Sequence, residues 1–193
     1  MEQNRLFPVF LKLEELHTLL VGAGNVGLEK LTAILKNSPE ARITVVAPFI
    51  SEPVRELAES HPRVRLLPRK FRRTDLVGAD VVILATSDRA LHERIRKETR
   101  KRGILINVAD TPDLCDFYLG SIVTKGNLRI GISTNGKSPT IARRIREFFE
   151  LALPDEADEL LTNMNRIRDR IAGDLKEKVK TLNEITASWL EKK

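Results

Sequence analysis

Three stretches of the chain combine residue types that could do chemistry. The first is Leu19-Leu20-Val21-Gly22-Ala23-Gly24-Asn25-Val26-Gly27, an apolar run that ends in glycines spaced G-x-G-x-x-G. A strand, a tight turn and a helix start in that order let a pyrophosphate approach Gly24 and rest on free N–H groups. Gly22, Gly24, Asn25 and Val26 are the contacts this predicts. Glycines also close ordinary turns, so the spacing alone is a weak signal. The second stretch is Asn107-Val108-Ala109-Asp110-Thr111-Pro112. A carboxylate there could take up a proton while a hydride leaves a substrate for a nicotinamide. Equally, Asp110 could cap the turn before Thr111-Pro112. The third is Ser133-Thr134-Asn135-Gly136-Lys137-Ser138-Pro139, a polar loop opening a helix. Its backbone N–H groups and Lys137 could hold carboxylates, with Arg143, Arg144 and Arg146 nearby. A well-made loop and helix cap with a solvated basic face would use the same residues.

The elements that position these groups follow from periodicity. Pro8 to Leu13 reads as an extended lead-in, and Thr18 to Val21 as a buried strand. A helix from about Asn25 to Lys36 places Val26, Leu31, Ile34 and Leu35 on one apolar stripe, and Asn37-Ser38-Pro39 stops it. Ile43 to Ala47 is β-branched and apolar, the mark of a strand covered on both faces. An acid usually ends this second strand and grips the ribose hydroxyls. Ala47, Pro48 and Phe49 stand there instead. Either backbone and apolar contacts hold the ribose, or the cradle binds something else. Ser51-Glu52-Pro53 opens a capped helix with Val54, Leu57 and Ala58 inward, ended by His61-Pro62. Val64 to Leu67 is a third strand, followed by a basic connection from Arg69 to Arg73. Asp80 to Thr86 is a fourth strand, and Ser87-Asp88 caps a helix over Arg89 to Arg102 with Leu91 and Ile95 inward. Ile104 to Val108 is the fifth. Alternating strands and helices give a doubly wound parallel sheet with right-handed crossovers, and ligands sit beyond the carboxyl ends of its strands. Gly24, Pro48, Thr86 and Asp110 all fall there.

After Pro112 the rhythm changes. Phe117 to Thr124 and Leu128 to Ser133 form two strands around a hairpin turn at Lys125-Gly126-Asn127. A helix runs from Ser138-Pro139-Thr140 through Leu151, and Pro154 breaks it. Apolar residues then recur at helical spacing from Leu160 to Ile171 and, beyond Gly173, from Leu175 through Val179 and Leu182 to Trp189. The fold expected is α/β. A Rossmann-like domain over residues 1–112 precedes a small α+β segment over 113–152 and a helical segment over 153–193.

Composition narrows the function classes. The 193 residues are 41% hydrophobic and 31% charged, as in a globular chain. No apolar run is long enough for a membrane span, and the N-terminus lacks a secretory signal. A single cysteine, Cys115, excludes an internal disulfide and a cysteine-rich zinc site, and fits the cytoplasm. It reads as a packing residue rather than a nucleophile, since no histidine partner stands near it. The net charge of +6 points to an acidic partner. Nucleic acid is disfavoured, because aromatic content is 5% and no reading motif is present. His17, His61 and His92 are scattered, so surface or helix-end roles are expected for them and no metal site.

Together these residues resemble the siroheme-synthase family of precorrin-2 dehydrogenases, some of which are also sirohydrochlorin ferrochelatases. The resemblance runs through Pro8-Val9-Phe10-Leu11, the Gly22-to-Gly27 turn, Ala85-Thr86-Ser87-Asp88 and Asn107 to Pro112. It continues through Leu114-Cys115-Asp116-Phe117 and the Ser133-to-Pro139 loop with Ala142-Arg143, in order, over about residues 6 to 150. It implies that precorrin-2 loses two hydrogens to NAD, giving sirohydrochlorin, with ferrous iron inserted afterwards in bifunctional members. It assigns the essential carboxylate to Asp110. Nucleotide contacts fall on Gly22 to Val26, Pro48, Phe49 and Thr86, and substrate contacts on Asn107, Ser133, Thr134, Lys137 and Ser138. The missing ribose acid is normal for this family, and the segment from Phe117 to Leu151 corresponds to its homodimer interface. The chain departs at Gly120, where proline is usual, and at Asn135, which is glycine in some relatives. No methyltransferase domain follows in the sequence, so the stand-alone form is expected. The competing class is a non-catalytic NAD-sensing module, which needs the glycine cradle but neither Asp110 nor the Ser133 loop.

Overall fold

Short β-branched runs bounded by turn residues become strands: β1 (His17–Ala23), β2 (Arg42–Ile50), β3 (Val64–Leu67), β4 (Val81–Leu84) and β5 (Leu105–Val108). The computed structural model describes residues 4–154, 157–171 and 174–186. The strands pair in parallel in the order β3-β2-β1-β4-β5, and the order reverses between β1 and β4. In such sheets the ligand crevice opens at that reversal, beyond the carboxyl ends. Helices α1 (Asn25–Asn37), α2 (Glu52–Glu59) and α3 (Arg89–Arg102) make the crossovers. The lead-in over Pro8 to Leu13 is irregular rather than strand, and ends in a turn from Leu13.

Period-two alternation divides the core into two layers. Leu20, Ile43, Val45, Val81 and Ile83 meet Leu31, Ile34 and Leu35 of α1 and Val54 of α2. Leu19, Val21, Val46, Val82, Leu84 and Ile106 meet Ile95 of α3 on the other side. Cover on that second side is incomplete where β2 and β3 begin. Arg42 and Arg65 are exposed and Thr44 is half-buried, so β2 is covered on both faces only from Val45 to Ala47. Arg42, Thr44, Arg63, Arg65 and His17 line a shallow cavity of about 230 Å³ there. Glu40, 4.0 Å from Arg63, is the one carboxylate paired with any of these arginines among the described residues. The His17 Nδ1–H donates to the Gly78 carbonyl at 3.0 Å, because that oxygen can only accept.

Helix ends follow local chemistry. The Asp88 carboxylate accepts the Leu91 N–H at 2.9 Å, and Gly103 ends α3 in the left-handed region at φ +69°. Ser51 holds the N-cap position of α2, but its side chain makes no capping bond, unlike the expected cap. The basic connection after β3 contains an unexpected 3₁₀ turn at Arg73–Leu76, which buries Leu76. The Asp75 carboxylate accepts from Arg69 at 2.7 and 2.9 Å and from the Arg72 N–H at 2.7 Å.

The chain divides into two units between Leu119 and Gly120, later than the 112/113 boundary drawn from sequence. The intervening segment is bonded to the sheet. The Asp116 N–H donates to the Ile106 carbonyl at 2.8 Å, and its carboxylate accepts the Ile106 N–H at 3.2 Å and both Arg96 amines. For that reason the next strand starts not at Phe117 but at β6 (Ser121–Lys125), which pairs antiparallel with β7 (Leu128–Ile132). Gly126, at φ +54°, takes the first central position of the two-residue turn, where a primed turn requires positive φ. Helix α4 (Pro139–Ala152) lies on β6, burying Ala142 and Val123, and leaves Ile141, Ile145, Phe148 and Leu151 exposed. Helices α5 (Ala157–Arg170) and α6 (Leu175–Thr186) touch each other, yet Val179, expected on the packed face, is exposed. Gly173 and Trp189 lie outside the described residues.

Candidate functional site

The three glycines of the cradle do different work. Gly22 sits at φ +109°, and a Cβ there would run into the Ala85 carbonyl and Thr86 Cγ2. Gly27 is buried on the first turn of α1, where a Cβ would press on the Gly22 carbonyl. The helix therefore packs onto the strand end more closely than any side chain permits. Gly24 is the opposite case: it is the N-cap, and a Cβ there would meet nothing within 4 Å. Its backbone borders open space at a helix start that no side chain caps. First-turn N–H groups and the positive end of the helix dipole fit a pyrophosphate at that place. Asn25 and Val26 are exposed on that turn. Val26 was expected on the buried stripe, but the interior has room only for a glycine there, and Gly27 takes the inward place.

Pro48 and Phe49 do not form a turn after β2, because the strand continues through them to Ile50. The register passes from Val21↔Val46 to Ala23↔Ile50, so Ala47, Pro48 and Phe49 bulge against Gly22 alone. A bulge leaves backbone groups outside the ladder, which suits a proline without an N–H. Pro48 and Phe49 are exposed, Phe49 at 74%, and present an uncharged surface where an acid is usual.

Thr86 follows β4 on the same edge and is half-buried. Its Oγ1 lies 2.8 Å from Nε2 of His92. His92 is 3% exposed, so of the expected surface or helix-end role only the second holds: it lies in the first turn of α3 but is buried. Burial pushes its pKa below the ordinary imidazole value, against the opposing charge of Asp88. The missed signal was spacing: His92, Ile95 and Thr99 form the buried stripe of α3.

Asp110 follows β5 in a turn closed by the Thr111 N–H on the Val108 carbonyl at 3.3 Å. It adopts φ +54°, left-handed for a residue with a Cβ. The carboxylate is exposed, and among the described residues it makes no hydrogen bond or ion pair. Thr111, not Asp110, is the N-cap of the short 3₁₀ turn at Pro112–Leu114. The capping alternative therefore has no bond to support it. Strained residues of this kind gather at functional sites.

Asn107 is buried at 6%, and its amide donates to the Phe117 carbonyl at 2.9 Å. It fastens the segment after the Asp110 turn rather than standing open in the crevice. Cys115 helps in the same way, its thiol donating to the Val108 carbonyl at 3.3 Å and accepting the Val108 N–H at 3.2 Å. Burial raises the thiol pKa, so it packs rather than attacks. Burial would raise Asp116 as well, but its bonds to Arg96 and the Ile106 N–H outweigh that and hold it below the usual carboxylate range.

In the second unit, the Ser133–Pro139 loop is an Asn-Gly turn. Asn135 at φ +54° and Gly136 at φ +73° fill the two central positions of a type I′ turn, closed by the Lys137 N–H on the Thr134 carbonyl at 3.0 Å. The Thr134 hydroxyl donates to the Ser138 carbonyl at 3.1 Å and accepts the Ser138 N–H at 3.3 Å. Ser133 Oγ accepts the Asn135 N–H at 3.2 Å, and Ser138 Oγ caps α4 through the Ile141 N–H at 3.1 Å. Three of the four loop residues expected on substrate thus build the loop, while Lys137 is exposed. The left-handed backbone at Asn135 explains why glycine and asparagine both suit that position.

Among the described residues no cluster of three or more His, Cys, Asp or Glu could hold a metal, and no helix is long and apolar enough to cross a membrane. A β3-β2-β1-β4-β5 parallel sheet with an open glycine cradle at its reversal defines a dinucleotide-binding protein of Rossmann type. The family model described as "Putative NAD(P)-binding" matches residues 9–121, and the chain belongs to that NAD(P)-binding family. A second model, sirohaem biosynthesis protein central, matches residues 125–150. The siroheme synthase of Psychrobacter cryohalolentis is 37% identical over 183 residues, covering 95% of this chain and 34% of its own length. That of Methylococcus capsulatus is 36% identical over 173 residues, covering 90% and 34%. The chain thus spans about a third of the curated relatives it matches. The solved structure of SirC, a precorrin-2 dehydrogenase, matches with TM-score 0.74 at 25% identity, over 93% of this chain and 89% of that one.

Proposed function

We propose that the protein is an NAD-dependent precorrin-2 dehydrogenase that yields sirohydrochlorin. The observation that carries this reading is Asp110, an exposed and unpartnered carboxylate held at φ +54° on the sheet edge that also bears the glycine cradle. When bound, NAD supplies a hydride acceptor. The Gly22-to-Val26 turn would hold its pyrophosphate, and Thr86 and the Pro48–Phe49 bulge would flank it. Asp110 would take the proton that leaves as the hydride departs, so two hydrogens are lost as hydride and proton. Its strained turn keeps the carboxylate out of local hydrogen bonds and available for that transfer. The Ser133–Pro139 loop, through backbone N–H groups and Lys137, offers charge to a polycarboxylate.

The siroheme synthases among the relatives motivate the assignment to this pathway, and ferrous iron, as a substrate of a second reaction, belongs to it. The exposed stripe of Ile141, Ile145 and Phe148 on α4 supports a homodimer, since an apolar face of that length is seldom left to water. A cytoplasmic setting agrees with the lone, half-buried thiol.

The test is to incubate the protein with precorrin-2 and NAD, with and without Fe²⁺, and follow sirohydrochlorin absorbance. Asp110→Asn should lose at least nine-tenths of turnover, about 10²-fold for a general base, while its NAD affinity is unchanged. Equal turnover in that variant removes Asp110 from the mechanism. NAD binding without tetrapyrrole turnover would instead identify the sensing module.

A further inference from the structure

We propose that His92 is a positioning residue for the dinucleotide, acting through the Thr86 hydroxyl. The inference rests on the reading of the crevice as an NAD site, and goes beyond it by adding a residue that does not face the cofactor.

Thr86 stands where the cofactor has to pass. It follows β4 at the sheet reversal, and its Cγ2 is so close to Gly22 that a Cβ on the glycine would strike it. A threonine hydroxyl has one hydrogen to give and two lone pairs to offer, and an unpartnered one rotates to suit its neighbours. Here it is not free to rotate, because Nε2 of His92 lies 2.8 Å from Oγ1. If Nε2 carries the hydrogen, Thr86 accepts from it and keeps its own O–H for a phosphate or carbonyl oxygen of the ligand. If Nε2 is bare, Thr86 spends its hydrogen on the imidazole and can only accept from a ligand N–H or O–H. In either state the histidine takes one of the hydroxyl's three hydrogen-bonding positions and narrows what it can offer a ligand.

The support behind the imidazole is stiff. His92 is 3% exposed on the first turn of α3, and its own N–H donates to the Asp88 carbonyl at 3.0 Å. Asp88 also caps the helix through the Leu91 N–H at 2.9 Å. The turn between β4 and α3, Thr86 included, is thereby tied to the helix from inside the domain. A buried imidazole is a demanding choice for a position that an aliphatic residue could fill. An aliphatic side chain would pack against Ile95 and Thr99 but would leave the Thr86 hydroxyl undirected.

A double-mutant cycle on the full-length protein tests this, with NAD dissociation constants measured by calorimetric titration and folding followed by thermal melting. Thr86→Val and His92→Leu should each weaken NAD binding about 3- to 10-fold, the range of one lost hydrogen bond. The double variant should bind no more weakly than Thr86→Val alone, because the histidine acts only through that hydroxyl. His92→Gln, which keeps a side-chain hydrogen-bonding group, should recover part of the affinity. A purely structural role for His92 would move the melting temperature but not produce this coupling. Additive losses in the double variant overturn the proposal. So does undiminished NAD affinity in His92→Leu while Thr86→Val binds weakly, or, if His92→Leu does not fold, a His92→Gln protein no better than one lacking the hydroxyl. Failure of the unaltered protein to bind NAD overturns the crevice reading itself and is recognised before any variant is made.

Discussion

Replacing Gly24 with alanine should leave the stability of the fold nearly unchanged while weakening its cofactor site, and the neighbouring glycines supply the contrast. At Gly24 a Cβ meets nothing within 4 Å and the backbone is extended, at φ −87°. Narrowing the unfolded ensemble favours alanine by about 0.4–1 kcal/mol, and the N-cap preference for glycine over alanine opposes it by a similar amount. For a chain of this size the two leave Tm within roughly 2 °C of wild type. The same methyl group would occupy the space a pyrophosphate needs. An overpacking cost of about 1–3 kcal/mol there corresponds to roughly 5- to 150-fold weaker NAD binding. Gly27→Ala should behave differently. Helix propensity favours alanine by up to about 1 kcal/mol, but the added Cβ presses on the Gly22 carbonyl. A backbone oxygen held in β1 cannot swing aside, so the clash wins and Tm falls. Differential scanning fluorimetry and NAD titration on both variants decide the matter. A Gly24→Ala protein that melts as far below wild type as Gly27→Ala, or that binds NAD with unchanged affinity, refutes the separation of roles.

Three further outcomes follow from contacts already described. Asp116→Ala leaves Arg96 and the Ile106 N–H without their partner and should cost about 1–3 kcal/mol in urea unfolding. Stability should fall in two steps as pH is lowered. Folded His92 resists a proton that the unfolded chain accepts, so its contribution is complete above pH 6.5, the ordinary imidazole value, and declines below it. Asp75 and Asp116 have lowered folded pKa values, so theirs holds above about 3.8 and is lost as pH falls through those values. Melting curves should show the first step disappear in His92→Gln and the second persist. Phe148→Asp should convert a homodimer to monomers in sedimentation velocity, and a dimer that survives it uses another face.

Much of this architecture is written in local chemistry. The runs around Leu20, Val45 and Ile83 are too β-branched and short to be helices, and Asp88, Gly103 and Ser138 mark helix ends by their own hydrogen bonds or backbone preference. The glycine spacing likewise pointed to the cradle, because Gly22 and Gly27 answer a nearby steric demand and Gly24 leaves the helix start open. What escaped depends on partners distant in the chain. The bulge at Ala47–Phe49 exists only relative to the register of β1. The burial of His92 is hidden by its residue type, since a polar side chain on an apolar stripe reads as the edge of the stripe. The left-handed turn at Asp110 has no glycine to announce it, and the bonds from Asp116 to Ile106 carry the first unit past Pro112. The bonds that Asn107, Thr134 and Ser138 make to Phe117, to the loop backbone and to the start of α4 likewise depend on how the chain folds back on itself.

The two edges of the parallel sheet are closed to strangers by unlike means. Along β5, Asp116 occupies the Ile106 N–H and carbonyl, so an incoming strand finds those groups taken. Along β3 nothing comparable among the described residues lies over the strand, but Arg63 and Arg65 stand at or beside it with Arg42 close behind. Like charges on neighbouring strands weaken pairing within the molecule. The same charges meet their own copies when two molecules approach edge to edge, and that repulsion discourages sheet-to-sheet polymerisation. Salt shortens its reach to about 8 Å at physiological ionic strength. A charged edge of this kind works against the stacking of these molecules into fibres.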